Sequence, residues 1–344
     1  MKGRQKKSRE DDVKVFGEVG RLAAVLAAAM LVPAAGWAQA APAAWGTKDG
    51  RWDDWKDGTF PTSAAHYAAL KAAAKGGVKH TVNDIPDWSG IWSSSRQPGW
   101  GTPAYQNAPG APVRLGPAFP GAPAPDPSAP RPEVPKLTPV YQKKLEEELA
   151  RVAKGIQWDY LSYCLPAGFP RWYTEPFLRE FITTPNQTWM TNEQQSETRR
   201  IYTDGRGHTP DDESYPLFEG DSIGFWDGDT LVIHTINVKP GSWNRSEPEY
   251  SDKTETVELV KKNAAGKIET RMTVYDPESL QNPWHVIWGS DRVNTPNLRI
   301  NMWSCNENTN VVKTDDGATQ FVLPGEKGYK DPKNFAAPPP VAAN

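Results

Sequence analysis

Apolar residues recur along this chain with two different periods. The segment Ser63 to Lys75 is rich in alanine, starts at Thr62 or Ser63 as a helix cap and stops at Gly76-Gly77; it predicts a helix. A second helix opens at Thr138-Pro139, with threonine as cap and proline at the first position. Tyr141, Leu145, Leu149 and Val152 make its apolar stripe, Lys143, Lys144, Glu146, Glu147 and Glu148 face water, and Gly155 ends it. Such a stripe reads as a helix laid on a core.

Elsewhere the period drops to two. Asp87 to Trp92 reads as a short strand. From Arg179 onward short strands alternate with turns, predicted at Arg179–Thr183, Thr188–Asn192, Arg199–Thr203, Ser222–Trp226, Asp229–Val238, Thr254–Lys262, Lys267–Tyr275, His285–Trp288 and Leu298–Ser304. About nine short strands joined mostly by tight turns predict a mainly β fold, an antiparallel barrel or sandwich with one or two packed helices. The absence of βαβ alternation argues against a Rossmann fold or a TIM barrel. With Asp227-Gly228 as a two-residue turn, Phe225 pairs with Thr230 and Ile223 with Val232. His234 then shares a face with Ile223, Phe225 and Val232, while Trp226, Leu231 and Ile233 take the other. Both faces are apolar, so this hairpin is expected to be covered on both sides. In Lys267–Tyr275 the polar alternates Glu269, Arg271 and Thr273 predict a wet face.

The ends differ from this middle. Residues 1–21 carry seven basic side chains, an apolar run follows from Leu22 to Val32, and small residues lead to Ala40. This is the pattern of a signal peptide. The apolar run is too short to cross a bilayer, which takes about 20 residues, so no stable membrane insertion is expected after cleavage. No twin-arginine pair is present, which points to a Sec-type route and a periplasmic or secreted protein. Residues 98–139 hold 13 prolines and predict an extended arm with no ladder or helix of its own. The expected organisation is therefore a leader at 1–40, an N-terminal segment with a short helix at 41–97, a proline-rich arm at 98–137, a β-barrel domain at 138–325 and a disordered tail at 326–344.

Composition narrows the functions. The net charge of −3 becomes −6 without the leader, which argues against a general nucleic-acid binder. Cys164 and Cys305 are the only cysteines. In an oxidising compartment a disulfide is the simplest reading, with two buried thiols as the alternative. The 33 prolines and 28 glycines suggest unpacked material, whereas 15 tryptophans require something to pack on.

Candidate chemistry is sparse. The run from Arg199 to His208 carries Asp204, Arg206 and His208 in one turn. Arg206 suits a carboxylate or enolate, with Asp204 or His208 as acid or base; the bland reading is a turn whose Asp204 bonds backbone amides while Arg206 packs on a ring. His234 on an apolar strand face is a candidate general base or a core histidine with one partner. Glu307 follows Cys305 and is a candidate acid. His208, His234 and His285 lack ligand spacing on any one element, so no metal or other cofactor is expected.

The motifs Pro86-Asp87-Trp88-Ser89-Gly90-Ile91-Trp92, Cys164-Leu165-Pro166-x-Gly168-x-Pro170-Arg171, Arg200-Ile-Tyr-Thr-Asp-Gly-Arg206 and Gly220-Asp-Ser-Ile-Gly-x-Trp-x-Gly-Asp-Thr-Leu-Val232 occur in that order. Together they resemble a family of secreted proteins abundant in acidobacteria and sphingomonads, over residues 86–308. The resemblance implies an exported protein with a calycin- or lipocalin-like barrel, and no particular reaction. The chain departs from the family pattern at Ile233-His234-Thr235, Tyr250-Ser251 and Glu258-Leu259, where relatives tend to carry Val-Asp-Thr, His-Ser and Glu-Arg.

These readings combine into an expectation. A periplasmic barrel binds or transforms a small aromatic or polycyclic molecule, by cofactor-free isomerase or lyase chemistry. His234, Tyr250, Arg206 and Glu307 are the candidate catalytic residues. Asp204, His208, Phe225, Trp226 and Trp284 are the candidate ligand contacts. The alternative is a non-catalytic envelope protein that uses its proline-rich arm to bind a partner.

Overall fold

The computed structural model describes residues 52, 55, 60–95, 133–244, 247–301, 303, 305 and 310–331. The leader, most of the proline-rich arm, Glu307 and the tail from 332 onward lie outside the described residues.

Both predicted helices form. Helix α1 covers Ser63–Ala73, and the Thr62 hydroxyl accepts from the Ala65 amide at 3.1 Å. Lys75, Gly76 and Gly77 follow at positive φ, a conformation that glycine adopts without steric cost. Helix α2 covers Pro139–Val152 and buries Tyr141 and Leu145. Thr138 stands at its cap position, but its hydroxyl donates to the Glu278 carbonyl at 2.7 Å instead. That bond ties the start of α2 to the barrel.

The strands are β1 (Ile91–Ser94), β2 (Ile156–Gln157), β3 (Arg179–Thr183), β4 (Gln187–Asn192), β5 (Glu197–Tyr202), β6 (Asp221–Asp227), β7 (Thr230–Ile236), β8 (Gly241–Ser242), β9 (Glu249–Tyr250), β10 (Glu255–Lys262), β11 (Ile268–Tyr275), β12 (Trp284–Arg292), β13 (Val311–Lys313) and β14 (Thr319–Phe321). Nine of them close a barrel in the order β1-β12-β11-β10-β7-β6-β5-β4-β3. The mainly β, barrel class predicted from the sequence is what the chain adopts.

The pairing is not purely antiparallel. Strand directions cannot alternate all the way round a ring of nine, so one join must be parallel. It falls between β5 and β6, where Ile201 pairs with Ser222 and Tyr202 with Ile223. A parallel join needs a long connection, and segment 203–220 supplies it. The predicted strand at Leu298–Ser304 is absent among its described residues. The free edge of β12 is taken instead by β1, with Trp92 opposite Arg292.

The β6–β7 hairpin pairs Phe225 with Val232 and Ile223 with His234. The turn is thus Gly228-Asp229, one residue later than expected. Both partners shift by the same step, so the predicted faces survive. Trp226, Leu231 and Ile233 point into the barrel with Trp88, Trp92, Met190, Met272 and Trp288. The lumen is therefore a side-chain core rather than an open cup.

The opposite face of the hairpin lies under α1. Tyr67 and Leu70 of the helix pack with Ile223, Phe225, Val232, Val257, Leu259 and Tyr275. The wet face expected on β11 is also covered. Glu269, Arg271 and Thr273 are buried. Arg271 donates to Glu269 at 2.9 Å and to the Trp52 carbonyl, and its guanidinium lies 4.2 Å from the Trp52 ring. Cys164 and Cys305 form a disulfide, with Cα atoms 5.6 Å apart.

Candidate functional site

Polar groups inside the barrel are built around one ion pair. Arg199 on β5 donates to both carboxylate oxygens of Glu258 on β10, at 2.6 and 3.0 Å. It also donates to Thr235 at 2.7 Å and to Ser222 at 3.2 Å. Tyr173 donates to Glu258 at 3.1 Å, and the Phe169 ring lies 3.8 Å from the guanidinium. Every strong donor and acceptor here has a partner, as burial of an ion pair requires.

Two further carboxyl groups sit nearby. Glu197 on β5 accepts from the Gly168 amide at 2.9 Å, yet burial pushes its carboxyl up to about 7. Glu219, just before β6, has both carboxylate oxygens buried with no hydrogen-bond partner among the described residues. Burial first, and then the neighbouring Glu197 charge, push it up to about 8.

Glu219 also belongs to the wall of an open groove of about 380 Å³, where β5 and β6 part beyond their short parallel join. Arg200, Tyr202, Thr209, Phe218 and Asp221 line the same groove. Asp221 behaves oppositely to Glu219. Burial opposes its charge, but the adjacent His208 ring and a hydrogen bond from the Thr209 amide at 2.7 Å hold its carboxyl below the usual range. Gly220 between them has φ +64, which breaks the alternation of the strand and lets the two carboxyl groups occupy different environments. A Cβ there would stand 2.7 Å from Thr235 Cγ2.

Behind Asp221 runs a line of polar contacts. His208 Nδ1 lies 3.2 Å from Asp221 Oδ2, and His208 Nε2 lies 2.9 Å from His234 Nδ1. His234 Nε2 lies 2.9 Å from Ser63 Oγ, and Ser63 donates to Glu255. The His234 ring is 5% exposed and stacks on Tyr67, centroids 5.3 Å apart. Burial, then the nearby His208 and His66, push His234 down to about 3. His66 itself lies 3.0 Å from Tyr275 Oη and is pushed down to about 4 by burial and by His285.

The sequence-predicted residues thus separate. His234 and His208 meet on the outer face of the barrel, under α1. Arg206 is exposed, bound to Asp204 at 2.6 Å, with its guanidinium 4.1 Å from the Tyr202 ring. Tyr250 is buried elsewhere, with Oη 3.5 Å from the Phe169 carbonyl. Phe225 packs on Tyr67 outside the barrel, whereas Trp226 and Trp284 point into the core against Trp88 and Trp243. His285 stands edge-on to Trp55, 5.3 Å away. Among the described residues, no three His, Cys, Asp or Glu side chains gather to hold a metal, and no helix is long and apolar enough to cross a membrane.

The sequence reading missed Ser63, Glu197, Glu219, Asp221, Glu255 and Glu258 as site residues. Glu258 carried a signal, since it interrupts the apolar run Val257 to Val260. No family model matches the chain, and no curated protein matches it.

Proposed function

We propose that the chain is an exported protein that binds a small aromatic molecule in the groove between β5 and β6 and moves a proton on it without a cofactor. The observation that carries this reading is the open groove of about 380 Å³ whose wall holds Asp221 beside Tyr202 and Phe218. Hydrogen bonding holds the Asp221 carboxyl below its usual range, whereas burial pushes the Glu219 carboxyl up to about 8. Two titratable groups driven apart by their surroundings are the usual arrangement for acid–base work. Tyr202 and Phe218 supply rings for an aromatic ligand. Asp221 removes a proton from one position of the ligand and returns it at another, as in an isomerisation. The leader pattern and the Cys164–Cys305 bridge support export to an oxidising compartment.

The test begins with a metabolite extract incubated with the full chain, followed by mass spectrometry for bound and converted compounds. Asp221→Asn is expected to keep binding and lose conversion, whereas Glu219→Gln, whose carboxyl oxygens are buried away from the groove, is expected to keep both. Ligand protection that maps away from segment 198–222, or conversion undiminished in Asp221→Asn, would overturn the reading.

A further inference from the structure

The outer face of β5 presents a cation to the groove. Thr198, Arg200 and Tyr202 alternate along that face, while Arg199 and Ile201 between them are buried. All three outer residues line the groove, and Arg200 is the only Lys or Arg among its lining residues. Arg200 is exposed, and among the described residues no hydrogen bond or ion pair engages its guanidinium. It lies instead 5.0 Å from the ring of Trp189, its cross-strand partner on β4. Trp189 is fixed in turn by the bond that its Nε1 donates to Gln187 at 2.9 Å. A ring contact of this kind positions a guanidinium without using any of its N–H donors. Those donors form a planar fork that matches a carboxylate.

The protein's own acids near the groove are engaged elsewhere. Asp204 is paired with Arg206 at 2.6 Å. The parallel join, in which Ile201 pairs with Ser222, sets Arg200 beside Asp221. Asp221 nevertheless takes the Thr209 amide at 2.7 Å, and the same oxygen lies 3.2 Å from His208 Nδ1. Glu219 has both carboxyl oxygens buried. The groove therefore offers an anion a prepared fork, with aromatic rings on either side of the same opening.

We propose that Arg200 is the specificity-determining residue of the groove and that the ligand is an aromatic carboxylate, with its carboxylate on the Arg200 fork and its ring against Tyr202 and Phe218. This rests on the groove reading above and names the class of molecule that the groove takes. Side chains two residues apart on one strand face stand about 7 Å from each other. Arg200 and Tyr202 have that spacing, which suits a ring joined to a carboxylate through a short linker. The size of the preference is bounded by two opposing effects. Water reaches the guanidinium, and the Asp221 charge beside it repels a second anion. An exposed ion pair contributes little under such conditions, so the carboxylate is favoured over a neutral analogue by a few-fold and not by orders of magnitude.

The test uses two probes that differ in charge and hardly in shape, trans-cinnamate and its neutral amide, cinnamamide. Each is titrated into the 15N-labelled full chain while the backbone amides are followed by NMR. In the wild-type protein both are expected to shift amides within segment 198–222. Cinnamate should bind about fivefold tighter at low ionic strength, and the difference should shrink as salt is added. Arg200→Gln should bring cinnamate down to the affinity of the amide and leave the amide where it was. Arg200→Lys keeps the charge without the fork and should retain part of the preference. Because Arg200 is exposed, amides remote from β4, β5 and the groove should keep their positions in both variants, which checks that the fold is intact. A cinnamate affinity no greater than that of the amide in wild type, or a preference that survives Arg200→Gln, would overturn the carboxylate assignment and leave the groove reading standing. Shifts that fall outside segment 198–222, or no shifts from either probe, would overturn the groove reading and the assignment with it.

Discussion

Arg199 grips both carboxylate oxygens of Glu258 across the inside of the barrel, at 2.6 and 3.0 Å, and both side chains are almost wholly buried. Removing one partner leaves an uncompensated charge in the core. Glu258→Gln or Arg199→Met alone should cost about 3–5 kcal/mol, while joint replacement by apolar residues of similar volume should cost much less. Urea unfolding of the two single variants and the double variant measures the difference; equal losses in all three would contradict the pairing.

Stability should fall with rising pH on account of Glu219. Its folded carboxyl is pushed up to about 8, above the usual carboxylate value of about 4.3. Between those values the folded protein binds more protons than the unfolded chain, so this contribution is full below about pH 4 and lost as pH rises through about 8. Glu219→Gln should flatten that part of the wild-type profile. Chemical denaturation at a series of pH values reads it directly.

His66 and His234 act at the other end. Burial pushes their folded values down to about 4 and about 3, below the ordinary value of about 6.5. Here the unfolded chain binds more protons, so stability should drop as pH falls below about 6.5. Because both rings hold α1 to the barrel, protection of the 63–73 amides from hydrogen exchange should weaken first. Acid loss that spared α1 and struck the β10–β11 ladder would refute the assignment.

Gly168 has φ +76, and a Cβ there would stand 2.8 Å from the Phe218 carbonyl oxygen. Its amide also donates to Glu197. Gly168→Ala should therefore destabilise by more than about 1 kcal/mol and displace Phe218 from the groove wall. A thermal melt unchanged from wild type would show that the backbone relaxes there.

The Cys164–Cys305 bridge closes a loop of 141 residues. Its removal as the double alanine variant should cost about 2–5 kcal/mol. Reductant should lower the wild-type melting temperature and leave that of the double variant unchanged.

Much of the fold was legible because it depends on local alternation. The period of Arg179–Thr183 matched β3 to the residue, and the two-sided apolar hairpin at β6–β7 kept its faces although its turn moved by one residue. The candidate site was legible only in fragments. Asp204 and Arg206 drew attention as a dense polar run, yet they satisfy one another at the surface. His234 was read as a histidine on an apolar face, and it lies on one, but its partner Ser63 is 171 residues before it, and Glu255, which accepts from Ser63, is 21 after it. No pattern within a strand points to either.

The sequence by itself determined the strand periods, the helix positions, the class of fold and the two cysteines available for a bridge, since short-range spacing and composition suffice for these. Tertiary structure alone decided the rest. A ring of nine strands forces one parallel join, and that join opens the groove. The same closure turns Arg199 and Glu258 inward, places Glu219 and Asp221 in unlike surroundings, and aligns Ser63 with His234. Each of these depends on which strand lies beside which, and on how much water burial removes.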